Sequence, residues 1–282
     1  MNIPEKYIKE ISKKYFKIPA EIIKKDLILS YILQELSTLD ELIFKGGTCL
    51  SKCYLNYHRF SEDLDFNLEF EKESSKSKYK KKIREYFKEI FLVKLQKIAN
   101  KYNLDFDKNE FSTEGTRYCP VKSGDNIFVF YIYSKEIQIK IEVNISEKRI
   151  FDYNYKEIIN FNSKYLTYPL FESEIKCYAL EEIVLEKIRA ILTRKEGINE
   201  RDIFDLYLIN KQINIFNIDF GYINTKLNNS LFTLDKKRFI ELKNYKLFED
   251  IDNLALIDYD VEDYKKFFIN LKNFLMRLGI EK

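Results

Sequence analysis

The chain has 282 residues, and 48 lysines and arginines against 45 aspartates and glutamates leave a formal net charge of +3. That balance neither requires nor excludes a nucleic-acid partner, so any basic surface must be local. Seven glycines and four prolines, beside 23 phenylalanines and 21 tyrosines, exclude long linkers and low-complexity tracts and leave enough chain for one large or two modest domains. No run of about 18 apolar residues offers a membrane span, and Met1-Asn2-Ile3-Pro4-Glu5-Lys6 lacks a secretory h-region. Cys49, Cys53, Cys119 and Cys177 with a single histidine, His58, read as buried reduced thiols in a cytoplasmic protein and argue against zinc.

Glu5–Phe16 and Pro19–Leu39 are predicted helices, the second with Ile22, Ile23, Leu27, Ile28, Tyr31, Ile32 and Leu36 as its apolar stripe. Leu42, Ile43 and Phe44 then form a short buried-strand signal that breaks at Gly46-Gly47, where positive φ and a close backbone approach are permitted. Thr48 is placed to cap a helix carrying Cys49, Leu50, Cys53 and Tyr54. A strand that breaks at glycines and opens a helix points unpaired N–H groups at an anion. Next, Asp63-Leu64-Asp65-Phe66-Asn67-Leu68-Glu69-Phe70 alternates strictly, so Asp63 and Asp65 project from one face of a strand. Two such carboxylates repel unless a cation lies between them, and hard oxygen ligands suit Mg²⁺ or Mn²⁺ with substrate phosphates. Read singly, a diglycine is a turn and an Asp-x-Asp is a solvated face. In this order and this close, they are the equipment of phosphoryl transfer.

Ser74–Asn103 is a predicted long helix with Tyr79, Ile83, Phe87, Ile90, Phe91, Leu95 and Ile98 facing inward. Lys76, Lys78, Lys80, Lys81, Lys82, Arg84 and Lys88 crowd its first half, either as a solvated face or as a contact for an RNA backbone. Strand signals follow at Leu104–Phe106, Ile127–Tyr133 and Glu136–Ile145, joined through Gly124-Asp125 and Ser134-Lys135. In the last of them Gln138, Lys140, Glu142 and Asn144 share the polar face, which makes Glu142 the third carboxylate if this strand lies beside that of Asp63 and Asp65. Asn154–Pro169 reads as a return segment with one short strand, and Ile175 onward runs from a strand into a helix bearing Ile183, Val184, Lys187, Ala190, Ile191 and Arg194. Gly197 ends that helix, and Asn199 caps the next, which places Arg201, Asp202 and Asp205 within about one turn. The remainder is helical, with Lys236–Leu247 (Phe239, Ile240 and Leu242 inward) and Val261–Leu278 amphipathic.

Lys45-Gly46-Gly47-Thr48 followed by Arg59-Phe60-Ser61-Glu62-Asp63-Leu64-Asp65 resembles the signature of the nucleotidyltransferase superfamily with the DNA polymerase β-type fold, and more narrowly that of the abortive-infection AbiEii/AbiGii toxins. Lys140-Ile-Glu-Val-Asn144 and the string from Glu182 through Lys187, Arg194, Arg201-Asp202 and Asp205-Leu206 resemble the same family. Many relatives in the wider superfamily carry Asp where Glu142 stands. The resemblance implies an α+β fold in which a mixed sheet flanked by helices (residues 1–178) is catalytic and a C-terminal helical bundle (179–282) contributes Lys187 and Asp205 to the cleft. It implies Asp63, Asp65 and Glu142 as metal ligands, Lys187 at the nucleotide phosphates with Asp205 in support, and Gly46, Gly47, Thr48, Arg59 and Ser61 around the NTP. Ser61 either meets a phosphate or closes the turn before its strand, and Asp202 is either part of the site or a structural partner of Arg194 or Arg201. The expected reaction is transfer of NMP from an NTP to an acceptor hydroxyl, of RNA such as tRNA, by a toxin opposed by an antitoxin protein. A small-molecule adenylyltransferase and a non-catalytic nucleotide- or RNA-binding protein are the alternatives.

Overall fold

The computed structural model describes residues 5–14, 18–70, 75–106, 127–134, 137–145, 147–159, 173–228, 236–247 and 255–278. Met1–Cys49, Ser61–Ser146 and Tyr155–Cys177 form one compact unit, and Leu50–Phe60, Glu147–Asn154 and Tyr178–Lys282 a second. The expected connection at Gly124-Asp125, Lys135, Cys119 and most of the return segment lie outside the described residues.

Among the described residues, the first unit is built on a six-stranded mixed sheet. Its strands are β1 (Leu42–Lys45), β2 (Asp63–Leu68), β3 (Ile127–Tyr133), β4 (Gln138–Asn144), β5 (Tyr153–Glu157) and β6 (Glu174–Tyr178), in the order β3-β4-β2-β1-β6-β5. β1 runs antiparallel to β2 and parallel to β6, β2 runs parallel to β4, and β4 antiparallel to β3. Period-two alternation gives the sheet an apolar face of Leu64, Phe66, Phe128, Phe130, Ile139, Ile141 and Val143, all buried. Helices α1 (Glu5–Lys14), α2 (Ala20–Leu36), α4 (Lys76–Tyr86) and α5 (Leu92–Tyr102) belong to this unit, and α2 packs on α5, β2 and β4. Phe87 stacks on Phe128 at 4.2 Å between ring centroids and Phe91 lies 4.9 Å from Phe130, so the aromatic stripe of the long helix covers the apolar face.

That long helix differs from expectation in one respect. Phe87–Phe91 forms a wide turn between α4 and α5, which adds a residue to the local period. Phe87 and Phe91 both stay buried across it, whereas Ile90, expected inward, is 44% exposed. Leu104–Phe106 makes only an isolated bridge, between Asp105 and Tyr133, after Asn103 ends α5 with a left-handed φ of 53°.

The second unit is helical: α6 (Leu180–Thr193), α7 (Glu200–Asn210), α8 (Phe220–Asn228), α9 (Lys236–Asn244) and α10 (Val261–Leu278). α6 packs on α7 and α8, and α10 on α7 and α9. Tyr207, Phe267, Phe216 and Phe274 interlock at centroid separations of 5.5 to 5.7 Å. On α9 the expected inward Ile240 is 62% exposed, and Arg238 takes the buried position, donating to Glu241 Oε2 at 2.7 Å and to the Arg194 carbonyl. A charged side chain that satisfies a helix-end carbonyl has displaced the apolar one from the inner face. Among the described residues no helix is long and apolar enough to cross a membrane.

Candidate active site

The polar face of the sheet carries the first cluster. In the parallel register of β2 and β4, Asp65 pairs with Glu142 and Asp63 with Lys140; in the antiparallel register of β1 and β2, Lys45 pairs with Asp65. Residues in register on neighbouring strands project from the same face, so Lys45, Asp65 and Glu142 form one row across three strands. Burial, reinforced by the Glu142 carboxyl, pushes the Asp65 carboxyl up to about 7. The same two causes raise that of Asp63, although Lys140 and Lys25 oppose them. Lys140 Nζ lies 2.8 Å from Glu142 Oε1. An all-oxygen set whose like-charge repulsion the neighbouring lysines relieve only in part fits a hard divalent cation, whose charge would remove the cost these carboxyls now carry.

The bend before this row depends on one glycine. Gly46 has φ +79°, and a Cβ built there would stand 2.3 Å from Asp65 Oδ2. An alanine would add left-handed strain of about 1–2 kcal/mol and force the Asp65 carboxyl aside. Gly47 does not adopt positive φ. The helix opens at Gly46 itself, as α3 (Gly46–Cys49) running on through a wide turn, so Thr48 lies inside it and does not cap it. Its hydroxyl instead donates to the Asp63 carbonyl at 2.5 Å, tying the first turn of the helix to β2. Ser61 is half-buried at the approach to β2.

The second cluster lies within the second unit and centres on Asp205 of α7, which is fully buried. Arg59 grips it with two bonds, Nε to Oδ1 at 2.8 Å and Nη2 to Oδ2 at 2.7 Å. Lys187 Nζ of α6 stands 2.6 Å from Asp205 Oδ2 and 2.8 Å from Asp202 Oδ1, and Arg194 Nη1 is 2.5 Å from Asp202 Oδ2. Burial alone would raise the Asp205 carboxyl, but Lys187 and Arg59 hold it well below the usual range; burial would likewise depress Lys187, yet Asp205 and Asp202 keep it charged. Three cations against two carboxylates leave the cluster one positive charge in excess.

His58 is the member that sequence reasoning missed. It is fully buried, with Nε2 2.8 Å from Asp205 Oδ1, and burial lowers its pKa, so it donates as the neutral imidazole. Its position immediately before Arg59, as the sole histidine, was the available signal. Left-handed Asn56 and Tyr57 turn the chain sharply there, and Ser51 Oγ holds the Arg59 carbonyl at 2.7 Å. Glu182, also part of the second motif, has a structural partner set: it accepts from Lys226 Nζ at 2.6 Å and from the Ile150 and Phe151 N–H groups at 2.8 and 2.9 Å.

A family model described as nucleotidyl transferase AbiEii toxin, type IV TA system, matches residues 28–276. The chain belongs to the AbiEii nucleotidyltransferase toxin family. Both clusters lie inside the matched AbiEii segment, and the chain is accordingly a nucleotidyltransferase. Its fold is similar to that of MenT4, a nucleotidyltransferase toxin of Mycobacterium tuberculosis, with a TM-score of 0.55 at 15% identity over 95% of this chain and 89% of that one. JHP933 of Helicobacter pylori aligns over 94% of each chain at 15% identity with a TM-score of 0.46. No curated protein matches this AbiEii chain in sequence.

Proposed function

We propose that this AbiEii protein transfers NMP from an NTP to a hydroxyl of RNA, such as a tRNA end, in a reaction that requires Mg²⁺ or Mn²⁺, and that a cognate antitoxin protein restrains it. The observation that carries the reading is the register of Asp65 against Glu142 beside the Gly46 bend. Asp63, Asp65 and Glu142 would hold the metal. When bound, the ion supplies positive charge to the triphosphate and to the leaving pyrophosphate. The acceptor oxygen forms a bond to the α-phosphorus as the bond from that phosphorus to pyrophosphate breaks, and the hydroxyl proton passes to water.

The chain's own residues do the positioning. Gly46 and Gly47 let the backbone approach the phosphates, and Thr48 fixes that backbone to β2. Lys187 and Arg59, kept charged by Asp205 within the second unit, are the candidates for a phosphate contact. Lys187 has three N–H donors, of which Asp202 and Asp205 occupy two. The choice of RNA is supported by α4, where Lys78, Lys80, Lys81 and Arg84 are exposed, with Lys88 exposed just beyond it, an array suited to a phosphate backbone.

The test is incubation of the purified chain with labelled NTPs, Mg²⁺ and total tRNA, beside Asp63→Ala. Label should pass to RNA with the wild type and fall by about 10²-fold or more with Asp63→Ala. Equal labelling by both proteins would refute the assignment, and label on a small molecule instead of RNA would correct the acceptor.

A further inference from the structure

Lys140 is the unexplained member of the polar face. A lysine on the strand that offers the third carboxylate sits where a metal site would be expected to exclude cations. Yet its ammonium lies 2.8 Å from Glu142 Oε1, two residues along the same face, and its Cα is in register with that of Asp63. Asp63, Asp65 and Glu142 bring three carboxyl groups to this patch, and close carboxylates cannot all stay ionised without a counter-charge. Lys140 supplies one from the protein itself, with Lys45 in register beside Asp65 on the other side. The Lys140–Glu142 pair is only partly sheltered, its side chains 33% and 32% exposed. Ion pairs of that exposure are weak, so a divalent ion attracted by all three carboxylates displaces the ammonium readily.

We propose that Lys140 is a tethered counter-cation, occupying Glu142 until a divalent metal takes its place. The ammonium would then swing clear of Glu142 on its four-carbon stem. In the present arrangement Glu142 is engaged by Lys140, as this role requires. The proposal rests on reading these carboxylates as the metal site, and the test separates the two.

Mn²⁺ affinity of the full chain is measured without nucleotide, by the electron paramagnetic resonance of the free ion, for wild type, Lys140→Met, Lys140→Arg and Asp65→Asn. Methionine keeps the length of the stem and removes the competitor, so Lys140→Met should bind Mn²⁺ about tenfold more tightly. Lys140→Arg retains the charge and should stay within about twofold of wild type, while Asp65→Asn should weaken binding at least tenfold. If Asp65→Asn weakens binding but Lys140→Met leaves it unchanged or weaker, the counter-cation role is overturned and the metal site stands. If Asp65→Asn binds as wild type, the metal site itself is wrong and the role falls with it.

Discussion

Asp65→Asn is expected to reduce nucleotidyl transfer by about 10³-fold and, at the same time, to stabilise the metal-free protein above neutral pH. The first effect follows from removing the central carboxylate of the row, the one flanked by Lys45 and Glu142 and packed against Gly46. The second follows from the cost of holding that carboxylate ionised. With the folded-state pKa pushed up to about 7 from an ordinary value near 4, the folded protein binds more protons than the unfolded chain between those limits. Stability is therefore greatest below pH 4 as far as this group is concerned, and it is lost as the pH rises through 7. Denaturant unfolding in chelator at pH 5 and pH 8 should show the wild type losing on the order of 2 kcal/mol relative to Asp65→Asn over that interval. An active site that spends stability on converging carboxylates behaves this way; an ordinary solvated aspartate would show no difference.

Asp205→Ala should have the largest effect on the second unit. The substitution leaves Lys187 and Arg59 charged, buried and deprived of a partner that accepts from both, and it strips His58 of its hydrogen bond. Breaking a buried ion pair from one side costs about 3–5 kcal/mol, much of it from the stranded cations. Spread over a unit of this size, that lowers the melting temperature by about 10 °C. Calorimetry should find the loss in the wild type's least acid-sensitive range, because the depressed Asp205 carboxyl keeps its stabilising charge at every pH above the ordinary carboxylate value and loses it only as the pH falls through its own low pKa. A change under 1 kcal/mol would mean that Lys187 and Arg59 find equivalent partners.

What could be read in the chain beforehand was what repeats locally. The alternation of β2 and β4 assigned Asp63, Asp65, Lys140 and Glu142 to polar faces because period two needs no tertiary information. That β4 lies next to β2 with Glu142 level with Asp65 is a fact of strand order, which alternation does not encode. Ile90 and Ile240 were misplaced for opposite reasons: a wide turn shifted the helical period at one, and a buried arginine claimed the inner face at the other. Thr48 is of a residue type that caps helices, but the positive φ at Gly46 started the helix three residues sooner and freed the hydroxyl for β2. His58 was silent because a single polar residue reveals its burial only through the partners that surround it.

The most direct measurement is a crystal structure with Mn²⁺ and a non-hydrolysable NTP, read by anomalous scattering at the manganese edge. A manganese peak between Asp63, Asp65 and Glu142, with the triphosphate over the Gly46-Gly47 bend, is the predicted result. A nucleotide bound with its metal anywhere else on the chain would contradict the account.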